Sequence, residues 1–268
     1  DLVRSRGLGD VYKRQLGKAP KLGDKVEFWQ FNADGLPITT SGSILATESS
    51  CPFTSGEPFV LYNVKSSVTP LRGGAGNPVM TGKELIGLSA SCNPSAQKVL
   101  AVTQTMISRF LEQAQSGKYS GFPADGTQVT ELTDPVFRKY LGLPENGGGL
   151  YVAKLPVYSS FYKAGIRSGD VVESVNGIPL DSKGLIKDPS LGPVSANFLF
   201  RDSAKPGDVI TLGIRRKDKD GVSQPMTVDV TLDRGALEGD LVNPAPFVAE
   251  PRYRIYGGLV FVPLTGAL

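Results

Sequence analysis

The chain of 268 residues contains no histidine. Histidine is the side chain that ordinarily takes up and releases a proton near neutral pH, so a Ser-His-Asp relay cannot be assembled from these residues. Cysteine is nearly as scarce. Cys51 and Cys92 are the two present, and they fit neither a metal-ligand spacing nor the pattern of a disulfide-dense scaffold. No metal or cofactor is implied. An extracytoplasmic location would permit a Cys51–Cys92 bridge, and sequence leaves that point open. Long apolar runs are missing, which excludes a bilayer-spanning helix. A surplus of one charge is missing too: 29 Lys and Arg stand against 26 Asp and Glu, a net of +3. Because the two signs are interspersed, nucleic acid is not an implied partner.

What is present is a composition 40% hydrophobic, with 32 Gly and 20 Pro. That describes a loop-rich globular chain, and its length suits two cores. Residues 1–15 (DLVRSRGLGDVYKRQ) show neither helical nor strand periodicity. Their tail, SRGLGDVYKRQ, resembles the in-frame translation of a sequencing-library transposase adapter; a basic N-terminal tail is the alternative. The adapter reading removes the stretch from fold reasoning and implies a natural protein that extends upstream.

From Lys25 the chain reads as short β segments separated by turns: VEFWQF, TTSGSILATES, PFVLYNVK, NPVM, ELIGLSAS and VLAVTQ. This predicts a small antiparallel barrel or sandwich. Residues 103–115 then place Met106, Ile107, Phe110 and Leu111 at helical spacing, and Gly117 stops the helix. The element that carries chemistry is 72–80, RGGAGNPVM. A Gly-rich turn between strands exposes successive backbone N–H groups, which can hold a developing oxyanion beside one side chain at the apex. That apex is Ala75.

The order LGDKVEFW, GLPITTSGSILA, GGAGNPVM, KELIGLSAS and VLAVTQTMISRFLEQ resembles the second β-barrel and closing helix of a trypsin-like protease of the HtrA (Deg) family. The resemblance implies that Ala75 stands where the nucleophilic serine belongs. It also implies that the N–H groups of Gly73 and Ala75 form the oxyanion hole, and that Ser89, Ala90 and Ser91 line the primary specificity pocket. The family motif, Gly-Asn-Ser-Gly-Gly-Pro, is further altered here by Gly74 in place of Asn and Asn77 in place of Gly. Without a hydroxyl at position 75 no acyl-enzyme can form. The family's histidine and aspartate would lie in a first barrel upstream. Ala75 therefore admits three readings: a natural pseudoprotease, an engineered or erroneous Ser→Ala change, or a structural Gly-rich loop in an unrelated barrel.

Residues 161–180, FYKAGIRSGDVVESVNGIPL, form the most specific string. Ala164-Gly165 ends a short helical turn, Gly169-Asp170 turns the chain into a strand marked by Val171, Val172 and Val175, and Asn176-Gly177 favours a type I′ hairpin. The string resembles the A-G-[IL]-x-x-G-D-x-[IV]-x-x-[IV]-N-G signature of PDZ domains, and a β-rich domain with an N-G hairpin is the plainer alternative. GLYVAKLP before it, a helix near 195–203, and a closing hairpin of DVITLGIRR and MTVDVTL agree with the resemblance. In PDZ domains a peptide adds as a strand to a sheet edge, with its C-terminal carboxylate in a nest of N–H groups. That nest maps onto Gly121, Phe122, Pro123 and Ala124. Pro123 lacks an N–H, so internal segments are an open option. Phe198 and Leu199 are candidate groove walls or ordinary core.

The stretches KYSGFP, GLIKDPSLGPVSANFLF and YRIYGGLVFVPLT resemble the plant-type Deg branch and its bacterial relatives. The expected fold is mainly β, the C-terminal half of a trypsin-like double barrel followed by a PDZ domain. The expected divisions are an adapter at 1–15, second barrel and helix at 16–118, a PDZ domain at 119–235, and a linker with the start of a truncated second PDZ-like domain at 236–268. There YGGLVFVPLT would be an opening strand without a sheet of its own. The resemblance implies unfolded proteins or peptides as partners, a homo-oligomer of three or more subunits, and a periplasmic or cell-envelope location. A catalytically silent peptide binder in protein quality control, an active serine endopeptidase and a structural oligomer subunit are the competing functions.

Overall fold

Alternation of apolar and polar residues builds the first strand, β1 (Lys25–Phe31): Val26, Phe28 and Gln30 are buried while Lys25, Glu27 and Phe31 are exposed. A computed structural model describes residues 16–32, 34–51, 58–66, 75–117, 119–144, 147–234, 252–262 and 264. The chain divides into two compact units. One contains 16–48, Leu61–Glu112 and Asp188–Gly192; the other contains Ser49–Val60, Gln113–Lys187 and the residues from Pro193 on.

In the first unit β1 is followed by β2 (Pro37–Ser50), β3 (Phe59–Ser66), β4 (Pro78–Thr81), β5 (Glu84–Asn93) and β6 (Lys98–Thr103). They close a barrel in the order β1-β2-β3-β6-β5-β4. Closure leaves no free edge, and Phe28, Ile44, Leu61, Val79, Met80 and Ile86 fill the interior. Gly87 is required by that packing, because a Cβ there would lie 2.6 Å from the Val102 carbonyl oxygen. The predicted helix is α1 (Gln104–Gln115), with Met106 buried and both Phe110 and Leu111 exposed. No disulfide joins Cys51 and Cys92.

In the second unit β7 (Gln128–Glu131), α2 (Pro135–Tyr140), β8 (Leu150–Lys154), α3 (Ser160–Lys163), β9 (Val171–Val175) and β10 (Ile178–Pro179) follow in turn. After β11 (Leu185–Asp188) and β12 (Gly192–Ser195) come a π-helical turn (Phe198–Asp202), β13 (Val209–Lys217) and β14 (Ser223–Thr231). The main sheet has the order β14-β13-β9-β8-β7, with β10 paired to β9. Leu132, Val152, Ile166, Val171, Leu212 and Val230 form its core. The Asn176-Gly177 turn takes left-handed φ values of 50° and 75°, as a type I′ hairpin needs. Asn176 Oδ1 also accepts from Thr211 N at 2.9 Å, which ties the turn to β13.

The helix expected near 195–203 is present as the π-helical turn Phe198–Asp202, which follows the end of β12 at Ser195. There the Ser203 backbone N–H and hydroxyl both donate to Phe198 O, at 3.0 and 2.6 Å, and hold the wider loop. The strand expected in YGGLVFVPLT folds back: β15 (Arg254–Tyr256) pairs antiparallel with β16 (Leu259–Phe261). Gly257 and Gly258, both at positive φ, make the reversal. Among the described residues no helix is long and apolar enough to cross a membrane.

Candidate functional site

There are two candidate places, and the first carries residues singled out by sequence. The first is the turn leading into β4. Ala75 is exposed and presents a methyl group. Gly76, at φ +82°, donates its N–H to Ser89 O at 2.6 Å, and Asn77 N donates to Ser89 Oγ at 2.9 Å. Ser89 N returns a bond to Asn77 O at 2.9 Å. Buried Ser89 thus anchors the motif to β5. Ala90 sits at a register shift between β5 and β6, and Ser91 is exposed. Gly73 and Gly74 lie outside the described residues, as do 1–15.

The second place is a cavity of about 310 Å³ in the second unit, within the range of small-molecule and peptide side-chain sites. Gln128 and Val129 of β7 line it together with Ala196 and Phe200, and Val152 and Leu212 contribute apolar surface beneath. β7 is a terminal strand of its sheet and all four of its residues are exposed. The opposite terminal strand, β14, contains Pro225, which has no N–H to offer a further strand. Among the described residues, the outer edge of β7 is unpaired and lies beside the cavity.

At one end of the cavity stands an ion pair. Arg201 Nη2 donates to Asp125 Oδ2 at 2.8 Å, with the two side chains 4% and 8% exposed. Asp125 Oδ1 accepts from Thr127 N at 2.8 Å, and Arg201 Nη1 donates to Pro58 O at 2.8 Å. A pair this buried stabilises little by itself, because desolvation offsets the attraction, but losing one member leaves an uncompensated charge.

The neighbouring Asp202 is fully buried and accepts from Val60 N at 3.0 Å. Burial pushes its carboxyl up from 3.8 to about 7, against the opposing pull of the Val60 N–H and the Arg201 charge. In the unfolded chain the proton leaves near 3.8, whereas the folded protein retains it to about 7. Asp202 therefore favours folding most below the lower value, and the contribution is lost as pH rises through the higher one. Asp202→Asn keeps an acceptor for Val60 and removes the titration. Its melting temperature is expected to gain on that of the parent by several degrees between pH 4 and pH 8. Parallel melting curves for parent and variant across that range would contradict the assignment.

The residues expected to form a carboxylate nest make the following contacts. Gly121 O accepts from Gln113 Nε2 at 3.0 Å, and the Phe122 ring meets Phe59 edge-on at 5.4 Å. Ala124 N donates to Asp233 O at 3.0 Å. None of Gly121, Phe122, Pro123 and Ala124 lines the cavity; Asp125 to Val129 do. Phe198 and Leu199 are half-buried and also stand off it, with Ala196, Asn197, Phe200 and Arg201 in their place. The missed signal was D-G-T at 125–127, an acid placed two residues before an N–H that it can accept.

No protein-family model matches the chain. It is similar to Protease Do-like 2, chloroplastic, of Arabidopsis thaliana, 25% identical over 261 residues, covering 95% of this chain and 41% of that protein. It is also similar to Protease Do-like 4, mitochondrial, of the same plant, at 21% over 259 residues, covering 96% of this chain and 48% of that protein. The chain thus spans less than half the length of these relatives. Among solved structures, the fold matches the HtrA-type protease AlgW with tripeptide at a TM-score of 0.55 and 17% identity, over 82% of this chain and 68% of that one. The HtrA-type protease AlgW with decapeptide matches at 0.53 and 18%, over 82% and 64%.

Proposed function

Because the chain is homologous to the HtrA/Deg-type trypsin-like proteases, we propose that it binds extended polypeptide segments along β7 and does not cut them. The observation that carries this reading is the open edge of β7 beside an apolar cavity that β7 itself lines. An added strand would gain about 0.5–1.5 kcal/mol for each net backbone hydrogen bond. A side chain entering the cavity would add about 25 cal/mol for each Å² of apolar surface covered. In this reading the second unit is a PDZ-type module. The barrel contributes a frame in which Ala75 replaces the nucleophile, and the chain acts in protein quality control as a holdase or scaffold. A trimer or larger assembly and an envelope or periplasmic location belong to the same proposal.

Two measurements test it. On binding of a peptide, the amides of residues 128–131 are expected to gain protection from hydrogen exchange, whereas those of β14 are not. Unchanged exchange in β7 at saturating peptide would remove strand addition from consideration. With casein as substrate, the chain is expected to release no fragments above a buffer control. Ala75→Ser is expected to stay equally inactive, because the restored hydroxyl has no histidine in this chain to take its proton. Turnover that a serine-directed inhibitor blocks would overturn the silent-barrel half of the proposal.

A further inference from the structure

Resting on that reading of the groove, we infer that Asp125 occupies from within the position where a peptide carboxylate would bind, so that the groove admits internal segments and refuses chain termini. Several backbone donors at and beside the head of the cavity are already taken, while the buried Thr127 hydroxyl has no hydrogen-bond partner among the described residues. The Thr127 N–H goes to Asp125 Oδ1 at 2.8 Å, the Ala124 N–H goes to Asp233 O at 3.0 Å, and Pro123 has none. Arg201, the cation lining this end, holds Asp125 Oδ2 at 2.8 Å and Pro58 O at 2.8 Å. Both members of the pair are more than nine-tenths buried and both line the cavity.

A ligand carboxylate arriving there would meet a second carboxylate in a poorly solvated site, where like charges repel far more strongly than in water. An internal segment brings no such charge, and its backbone needs only the free edge of β7. Asp125 is thus a specificity-determining residue. Asp125→Asn preserves the shape and one acceptor while removing the negative charge, which should turn the groove toward free C-termini.

The experiment uses the full chain and a pool of fluorescein-labelled aliphatic decapeptides. Each is prepared as the free acid, as the C-terminal amide, and with a Gly-Ser extension that moves the terminus away. Anisotropy titrations of the parent protein are expected to show the free acid binding no more tightly than the amide or the extended form. Asp125→Asn, verified as folded by its melt, is expected to prefer the acid by about tenfold, with the preference shrinking as salt is added. A parent protein that prefers the acid by tenfold or more overturns this inference and leaves the groove reading intact. So does a folded variant that shows no acid preference. Absence of binding in every form overturns the groove reading and this inference with it. Should Asp125→Asn fail to fold, the three-way comparison on the parent protein decides alone.

Discussion

Replacing Gly148 with alanine is expected to destroy the cooperative fold of the second unit. A Cβ at that position would lie 1.6 Å from Leu180 O and 2.5 Å from Leu180 C, with Asp181 C at 2.8 Å. These are backbone atoms, so no rotamer change relieves the overlap. The segment at 180–182 is also held in place by hydrogen bonds from two other segments. Gly149 N donates to Asp181 O at 2.9 Å, and Leu132 N donates to Ser182 O at 2.8 Å. Relief requires moving Leu180, which lines the cavity beside β7. The expected loss exceeds about 4 kcal/mol, in the range that marks a severe and specific lesion. Urea unfolding followed by far-UV circular dichroism measures it, and peptide binding should vanish together with the transition. A variant with the parent's midpoint would show that the backbone here has room to part.

The second large effect is expected from Arg201→Met, which keeps most of the side-chain volume and removes the charge. Asp125 would remain buried, with Thr127 N–H as its hydrogen-bond partner among the described residues. Breaking a buried pair from one side costs about 3–5 kcal/mol, because the remaining ion has neither water nor a counter-charge. The double replacement Arg201→Met with Asp125→Leu should recover most of that loss, since apolar residues of similar volume tolerate such a site. If the single variant loses less than about 1 kcal/mol in equilibrium unfolding, the pair is solvated in solution and does not close the groove.

What was legible from sequence follows from interactions that span only a few residues. Alternation in VEFWQF and in the valines at 171–175 marked strands β1 and β9. Spacing marked α1, and Asn176-Gly177 marked a hairpin that the observed φ angles bear out. Residue identity alone shows that this chain offers no hydroxyl at position 75 and no imidazole base. Each of these signals is local, either in the steric preferences of the backbone or in the identity of one side chain.

The groove was not legible in that way. Its edge strand is defined by the order of the sheet, which sets β7 at one end and a proline-bearing β14 at the other. Its head is an ion pair between residues 76 positions apart, and no periodicity connects Asp125 to Arg201. The crossing of Gly148 over Leu180 likewise appears in the sequence only as one glycine among three in a row. By itself, then, the sequence determined the local elements, the mainly β class and the absence of a hydroxyl at position 75. Tertiary structure decided which edge is open, which carboxylate fills the groove and which glycine cannot be replaced. Those properties depend on contacts between segments distant along the chain, and such contacts exist only once the sheet has closed around its core.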